Sequence, residues 1–194
     1  MRGWTAGFII LHDDSAPVSY AMSIHLLVLL CLLSAFTETI PCEVTRYVSP
    51  TNGINNSSCL NSEDPMANPC KNLSFALVGK EIVGPQPDYC NTSTGPDNLC
   101  VYLHDGIHYL SGETQVTNAT NVLIRGLRPG RAIVRCRSFP NNVIDHWDDI
   151  VFFCSRNITV MDLVFERCGP FGSGIYAYLV EGLHIHNSTF RYAL

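Results

Sequence analysis

NITVMDLVF, at residues 157–165, recurs 25 residues later as GLHIHNSTF, at residues 182–190. Within each copy apolar residues alternate with polar ones, which is the period of a β-strand with one buried face. Such a unit, repeated at a fixed spacing, predicts strands stacked turn upon turn in a solenoid. Asp162 and Asn187 fall at the bend, where Asx side chains are favoured, and stacking would allow them to bond to each other. The matched positions are Ile158 and Leu183, Val160 and Ile185, Asp162 and Asn187, and Phe165 and Phe190.

Earlier parts of the chain fit the same pattern. An offset of 21 residues would stack Val101 on Val122 and Leu103 on Ile124 in successive coils. Turn residues such as Gly, Asn and Asp separate these short apolar segments, as expected for strands. Further strands are predicted at residues 45–49, 133–136 and 151–154.

One short helix is predicted ahead of most of the strands. Asn68 suits an N-cap and Pro69 the first helical position, and the apolar residues of 73–77 lie on one side at helical spacing. Gly-Pro at residues 84–85 ends the pattern. A solenoid has to cover its first open coil, because an exposed strand edge invites aggregation, so the helix is interpreted as a cap.

These segments resemble a known group of proteins. YVSP at 47–50 and PCKNLSFAL at 69–77 resemble the entry to secreted β-helix domains of the pectin-lyase-like superfamily, where a P-C-x-x-L-x-x-A-L helix often caps the first coil. The two repeated segments are similar to the N-I-T-I-x-N-L-x-F coils of the same group. The resemblance covers residues 44–194. It implies an all-β fold, namely a right-handed parallel β-helix (β-solenoid) with a short N-terminal capping helix.

The two ends of the chain give further expectations. Residues 24–33 form an apolar run that has the length of a signal-peptide core and is short for a bilayer span. Residues 1–37 are therefore interpreted as an N-terminal extension plus signal peptide, with Met22 as a more typical start, and an uncleaved membrane anchor is the alternative. Residues 38–194 are predicted to form a single β-helix domain. No capping segment follows Phe190, so this domain is expected to be uncapped at its C-terminal end and incomplete.

Cysteine usage favours an oxidising compartment. Eight cysteines follow the apolar run, and an even number in a secreted chain indicates disulfides. Connectivity does not follow from spacing, but closeness in sequence favours Cys59 with Cys70 and Cys90 with Cys100. No Cys-x-x-Cys pair is present, which disfavours a metal site. The candidates are Cys42, Cys59, Cys70, Cys90, Cys100, Cys136, Cys154 and Cys168.

Glycosylation signals agree with this compartment. The chain holds seven Asn-x-Ser/Thr sequons, each weak alone, which together favour a secreted or cell-surface glycoprotein. The net charge of -5 argues against a nucleic-acid partner, because such proteins usually carry a basic surface. The candidate sites are Asn55, Asn56, Asn72, Asn91, Asn118, Asn157 and Asn187, of which the first two overlap.

The superfamily includes polysaccharide lyases and glycoside hydrolases, so catalysis has to be considered. Glycoside hydrolysis needs two positioned carboxyl groups, and the acidic cluster Asp145, Asp148 and Asp149 is the candidate. Trp147, beside it, could stack on a sugar ring. The accompanying Asn-Thr-Asp, Gly-His-Gly and Arg-Ile-Lys segments of polygalacturonases are missing. A solvated loop is therefore the favoured interpretation of this cluster.

Two other groups of residues have weak binding potential. Arg135 and Arg137 share a strand face, and guanidinium groups suit the sulfate or carboxylate of an anionic glycan. His184 and His186 also share a face, but no third ligand accompanies them, so neither a metal nor another cofactor is expected. The sequence thus predicts a secreted or cell-surface module with a structural or binding role toward an extracellular glycan or protein. A carbohydrate-active enzyme of the pectin-lyase-like type is the alternative.

Overall fold

The computed structural model describes residues 41–79, 90, 95–110, 114–136, 150–168 and 174–191. Across these residues the chain is almost entirely β-structure, with two short helices. The helices are α1 (Ser57–Leu60) and α2 (Leu73–Val78). The strands are β1 (Val44–Val48), β2 (Asp97–Leu103), β3 (Gly106–Leu110), β4 (Thr114–Thr117), β5 (Thr120–Gly126), β6 (Ala132–Cys136), β7 (Ile150–Phe153), β8 (Arg156–Met161), β9 (Leu163–Glu166), β10 (Ile175–Tyr178), β11 (Glu181–His186) and β12 (Thr189–Arg191).

The strands form three parallel sheets. Sheet A has the order β1-β2-β5-β8-β11, sheet B has β12-β9-β6-β3, and sheet C has β10-β7-β4. From β2 onward, successive strands therefore visit sheets A, B and C in turn, so each set of three makes one coil. This all-β, parallel arrangement is compatible with a β-helix, because the other two sides of each coil supply the connection that parallel strands need.

The register confirms the 25-residue repeat. Leu183 pairs with Ile158 and Ile185 with Val160, and Phe190 lies on Phe165 with ring centroids 4.9 Å apart. Identical faces are thus stacked on successive coils, and the buried side chains point between the three sheets. The largest fully buried side chains include Phe152, Phe165, Leu73, Leu99, Leu103, Ile124, Ile158 and Leu163.

The predicted stacking of Val101 on Val122 is wrong by two residues. Val101 pairs with Ile124, and Leu99 pairs with Val122, so the offset between these coils is 23 residues. A shift of two leaves every side chain on the same face of the sheet, and the apolar alternation therefore cannot distinguish the two registers. The hydrogen bond between Asn98 and Asn121 at the corner of the coil distinguishes the two registers.

An asparagine ladder marks the corner where each coil enters sheet A. Asn98, Asn121 and Asn157 all adopt left-handed backbone conformations, with φ of 51°, 55° and 53°. The Nδ2 of Asn121 donates to Oδ1 of Asn98 at 2.7 Å, and the Nδ2 of Asn157 donates to Oδ1 of Asn121 at 2.8 Å. Gly182 takes the same place on the last coil with φ 73°. Asn and Gly tolerate this conformation better than other residues.

A second corner joins sheets A and B, and it confirms the predicted bond between the repeated Asx residues. Asp162 and Asn187 have φ of 61° and 45°, and Asn187 Nδ2 donates to Asp162 Oδ1 at 2.7 Å. The backbone N–H of Asp162 donates to the carbonyl of His186. On the preceding coil, Gly126 allows close approach, since a Cβ there would lie 2.5 Å from the Asp162 carbonyl oxygen.

Helix α2 starts later than predicted. Cys70 forms an isolated bridge with Val48, and the backbone N–H groups of Lys71 and Asn72 donate to Asn55 Oδ1 at 3.0 Å, so residues 69–72 are not helical and the helix begins at Leu73. Gly79, with φ 72°, ends it. Helix α2 contacts β1 and β2 of sheet A, β3 of sheet B and β4 of sheet C. The other helix, α1, precedes α2 and is capped by Asn56, whose side chain accepts from the backbone N–H groups of Ser58 and Cys59.

Four disulfides link the eight cysteines. The pairing of Cys59 with Cys70 is confirmed, but the predicted pairing of Cys90 with Cys100 is wrong. Cys100 lies in the middle of β2, beside Thr45 of β1, so its neighbour in space is the cysteine just ahead of β1. Several disulfides are typical of an oxidising compartment. The pairs are Cys42–Cys100, Cys59–Cys70, Cys90–Cys154 and Cys136–Cys168.

The asparagine ladder gives a stability prediction at Asn121, which both donates and accepts within it. Asn121→Ala removes two side-chain hydrogen bonds and places alanine in a left-handed conformation, for an expected loss of about 2–4 kcal/mol in the free energy of unfolding. Asn121→Gly removes the same bonds but tolerates the backbone, so its loss should be smaller. Denaturant titration under oxidising conditions measures both. Equal stability of the alanine and glycine variants would contradict the role given to the left-handed corner.

Candidate binding face on sheet A

The outer side of sheet A carries an aligned column of large side chains. These residues alternate with the buried residues of their strands and are matched by the parallel register from one coil to the next. The first three are aromatic or cationic. The column is Tyr47, Tyr102, Arg125, Met161 and His186.

The two tyrosines form a stacked platform. The rings of Tyr47 and Tyr102 have centroids 5.4 Å apart at an interplanar angle of 28°, and His104 lies 6.0 Å from the Tyr47 ring. Parallel strands in register place side chains at matching positions directly above one another, so the stacking is a direct consequence of the coil repeat. Such rings present an apolar face together with a polar hydroxyl group.

Arg125 extends the platform and is held by a buried carboxylate. Its Nε donates to Oδ2 of Asp162 at 2.8 Å, and the Asp162 side chain is only 5% exposed while that of Arg125 is 45% exposed. Asp162 also accepts a hydrogen bond from Asn187 Nδ2 at the second corner. The guanidinium is therefore fixed in position, and its other N–H donors have no hydrogen-bond partner among the described residues.

A groove of 260 Å³ adjoins the platform where the chain leaves sheet A. On one side of it Arg128 and Asp105 form a two-point ion pair, with Arg128 Nε donating to Asp105 Oδ1 at 3.0 Å. His104 links the groove to the tyrosine platform. The lining residues are Ser49, Thr51, Asn52, Met66, His104, Asp105, Leu127 and Arg128.

His104 lines this groove and has one buried polar atom in its side chain. Its Nε2 is buried and has no hydrogen-bond partner in the described part of the chain. Its backbone is well tied, since its N–H donates to the Val48 carbonyl and its carbonyl accepts from His108 Nε2 at 2.8 Å. Buried polar atoms nearly always find a partner, so a buried Nε2 of this kind is uncommon in a folded chain.

His108 lies on the other side of the backbone and faces the core. Its side chain is 3% exposed, stacks on Val134 of the next coil, and lines a smaller cavity of 90 Å³. Because Nε2 donates to the His104 carbonyl, Nδ1 carries the lone pair, and it has no partner among the described residues. Burial lowers the pKa of His108. No sequence signal marks His108 as an inward residue, because a single polar residue in a strand looks like any other polar residue.

Arg135 is placed on the outer side of sheet B, where Glu166 pairs with it in register. Arg135 Nε donates to Glu166 Oε2 at 2.9 Å, and this hydrogen bond lowers the pKa of Glu166 and raises the pKa of Arg135. The Glu166 carboxylate offsets the positive charge that Arg135 would otherwise present to an anionic glycan. Arg137 and the candidates Asp145, Trp147, Asp148 and Asp149 lie outside the described residues.

The two histidines of β11 stack on each other. The rings of His184 and His186 are 6.0 Å apart and nearly parallel. No group of three His, Cys, Asp or Glu side chains within the described ranges is arranged to hold a metal ion. None of the helices in those ranges is both long and apolar enough to span a bilayer.

Comparisons of the chain with protein-family models, curated proteins and solved structures found no match. The resemblance to the pectin-lyase-like superfamily therefore depends on the quoted motifs and on the parallel topology. Because one fold can host many functions, the function depends on the residues of the site itself.

The buried His108 predicts a loss of stability in mild acid. Its pKa is lowered in the folded chain from the ordinary value of 6.5, so the unfolded chain binds the proton first. The contribution of the neutral His108 ring to the free energy of unfolding is fully present above pH 6.5, and it is lost as the pH falls through the pKa of His108 in the folded chain. The slope from this single group is at most about 1.4 kcal/mol per pH unit.

His108→Gln should flatten this part of the stability curve, because glutamine stays neutral throughout the window. Denaturant titrations from pH 7 to pH 5 measure the slope for each protein. His184→Gln, on an exposed position, is the matched control and should keep the slope of the unaltered chain. An unchanged slope in His108→Gln would show that another group titrates.

Proposed function

We propose that this chain is a secreted or cell-surface glycoprotein module that binds carbohydrate on the outer face of sheet A, without catalysis. Its fold is proposed to be a right-handed parallel β-helix of the pectin-lyase-like type, with α2 as the cap of the first coil. The observation that carries the binding role is the stacked pair Tyr47 and Tyr102, which His104 links to the adjoining groove.

Two physical arguments support the finer description of the fold. Connections between parallel strands of one sheet are right-handed in about 98% of cases, because of the twist of the strands. The path from β2 through β3 and β4 to β5 is such a connection. Helix α2 contacts strands of all three sheets and buries Leu73, Ala76 and Leu77, as a cap over the first coil would.

The secretory route is supported by two independent features. Four disulfides are common in extracellular proteins and rare in the cytosol. The apolar run at residues 24–33 has the length of a signal-peptide core. A partner outside the cell, a glycan or a protein, is consistent with both.

The chemistry of the face favours a sugar over other extracellular ligands. The C–H groups of a sugar ring can lie on an aromatic face, while its hydroxyl groups bond to fixed donors and acceptors. The groove supplies these as the Asp105–Arg128 pair and the polar residues Thr51 and Asn52. A small number of fixed polar groups beside an apolar surface is the usual composition of a ligand site.

A carbohydrate-active enzyme remains the alternative function, and the carboxylates of the face favour binding over that role. Asp105 and Asp162 are each tied to an arginine, at Arg128 and Arg125. A glycosidase needs one carboxyl group that can donate a proton and another that can attack or activate water. Two carboxylates in ion pairs fit positioning better than proton transfer.

Tyr102→Ala tests the proposed face. Loss of the stacked ring should weaken binding to glycans on an array and in titration calorimetry by about tenfold, the equivalent of about 1.4 kcal/mol. Tyr109→Ala is the matched control, because Tyr109 is 55% exposed on the outer side of sheet B and should leave binding unchanged. Absence of glycan binding by the unaltered chain, or equal binding by the Tyr102 variant, would overturn the proposal. Release of shortened oligosaccharides from a bound glycan would favour the enzyme instead.

A further inference from the structure

The sequons differ in how they use the atom that would carry a glycan. N-glycosylation joins a sugar to Nδ2 of an asparagine in Asn-x-Ser/Thr, which places a bulky group on the surface. Six of the seven sequon asparagines lie among the described residues, and Asn91 lies outside them. The hydrogen bonds of each amide therefore show which sequons can accept a glycan in the folded chain.

Three sequon asparagines use Nδ2 as a hydrogen-bond donor within the fold. The Nδ2 of Asn157 donates to Asn121 Oδ1 at 2.8 Å in the asparagine ladder, and the Nδ2 of Asn187 donates to Asp162 Oδ1 at 2.7 Å. The Nδ2 of Asn118 donates to the carbonyl of Cys90 at 3.3 Å. All three have left-handed backbones at coil corners, with φ between 45° and 53°. A glycan on Asn157 or Asn187 would replace one of the two Nδ2 hydrogens beside an acceptor on the neighbouring coil, which lies 2.8 or 2.7 Å from that nitrogen.

Asn56 uses its side-chain amide as a hydrogen-bond acceptor instead of a donor. Its Oδ1 accepts from the backbone N–H groups of Ser58 and Cys59 at 3.1 and 3.3 Å, and it also accepts from the Ser58 hydroxyl. Its Nδ2 has no hydrogen bond to any described residue, and the residue is exposed. A glycan on Nδ2 therefore leaves every one of these bonds in place.

The overlapping sequon at Asn55 is less open. Its Oδ1 accepts from the backbone N–H groups of Lys71 and Asn72, which fixes the start of α2, and the residue is only partly exposed. Asn72 is likewise partly exposed and lines the small cavity beside His108. Among the sequons described, Asn56 therefore combines exposure with an uncommitted Nδ2.

We propose that this fold carries an N-linked glycan at Asn56 and leaves Asn157 and Asn187 unmodified. The inference depends on the proposed secretory route, which brings the chain to a lipid-pyrophosphate-linked oligosaccharide. In the transfer, a bond forms between Nδ2 and the sugar C1 while the bond from C1 to the pyrophosphate oxygen breaks. The lipid pyrophosphate leaves with the electron pair, and Nδ2 loses one proton to a base of the transferase. The remaining Nδ2–H and the Oδ1 acceptor of Asn56 are retained.

Single substitutions separate the sequons. Ser58→Ala destroys the Asn56 sequon but keeps that of Asn55, whereas Ser57→Ala destroys the Asn55 sequon but keeps that of Asn56. Thr159→Ala destroys the Asn157 sequon and leaves the ladder asparagine in place. The full chain and these variants are expressed in glycosylating animal cells, and the secreted protein is digested with a peptide N-glycosidase in heavy-oxygen water. Mass spectrometry then identifies each asparagine that carried a glycan as labelled aspartate.

We expect label at Asn56, none at Asn157 or Asn187, and loss of one glycan mass in Ser58→Ala but not in Ser57→Ala or Thr159→Ala. Label at Asn157 or Asn187 in secreted protein, or an unlabelled Asn56, would overturn the proposal. The same chain behind an established secretion signal separates the two hypotheses. If the chain is exported and modified at Asn56 only with that added signal, the proposed secretory route fails while the choice of sequon holds.

Discussion

The left-handed corner residue is the constraint on which the coils depend. A chain that passes from one flat strand to the next in a different sheet has to change direction within a residue or two, and a left-handed residue does this. At the entry to sheet A the position is filled by Asn98, Asn121, Asn157 and then Gly182. Asparagine satisfies two needs at once, because it tolerates the conformation and its side-chain amide bonds to the same residue on the next coil.

In-register stacking explains the features of the candidate face. Once the corners are aligned, every outward position on one coil lies above its counterpart on the next, and side chains form columns. Tyr47 on Tyr102 is one such pair, and Phe165 on Phe190 is its counterpart inside the core. The candidate face therefore needs no loop to position it, and its spacing is that of neighbouring parallel strands, about 4.8 Å.

The sequence predicted what depends on local pattern and failed where packing across the chain decides. Residues 157–165 and 182–190 were alike enough to give both the register and the bond between Asp162 and Asn187. Between β2 and β5 the apolar pattern tolerates a shift of two, and only the meeting of Asn98 with Asn121 fixes the offset. Disulfide partners such as Cys90 and Cys154 are neighbours through the coil and far apart along the chain. The orphan Nε2 of His104 likewise arises from packing, which no single segment reveals.

The coil geometry also bears on the kind of glycan that the proposed binding role would involve. Arginines that are crowded in the sequence lie one coil away from carboxylates in the fold, at Arg125 with Asp162, Arg128 with Asp105 and Arg135 with Glu166. Each pair neutralises the charge that an anionic glycan would need, and the whole chain has a net charge of -5. A sulfated or uronic acid chain would meet little free positive potential at this surface. For the proposed binding role, the stacked tyrosines and paired charges together favour a neutral glycan, which would be held by ring contact and directed hydrogen bonds and whose binding should change little with salt.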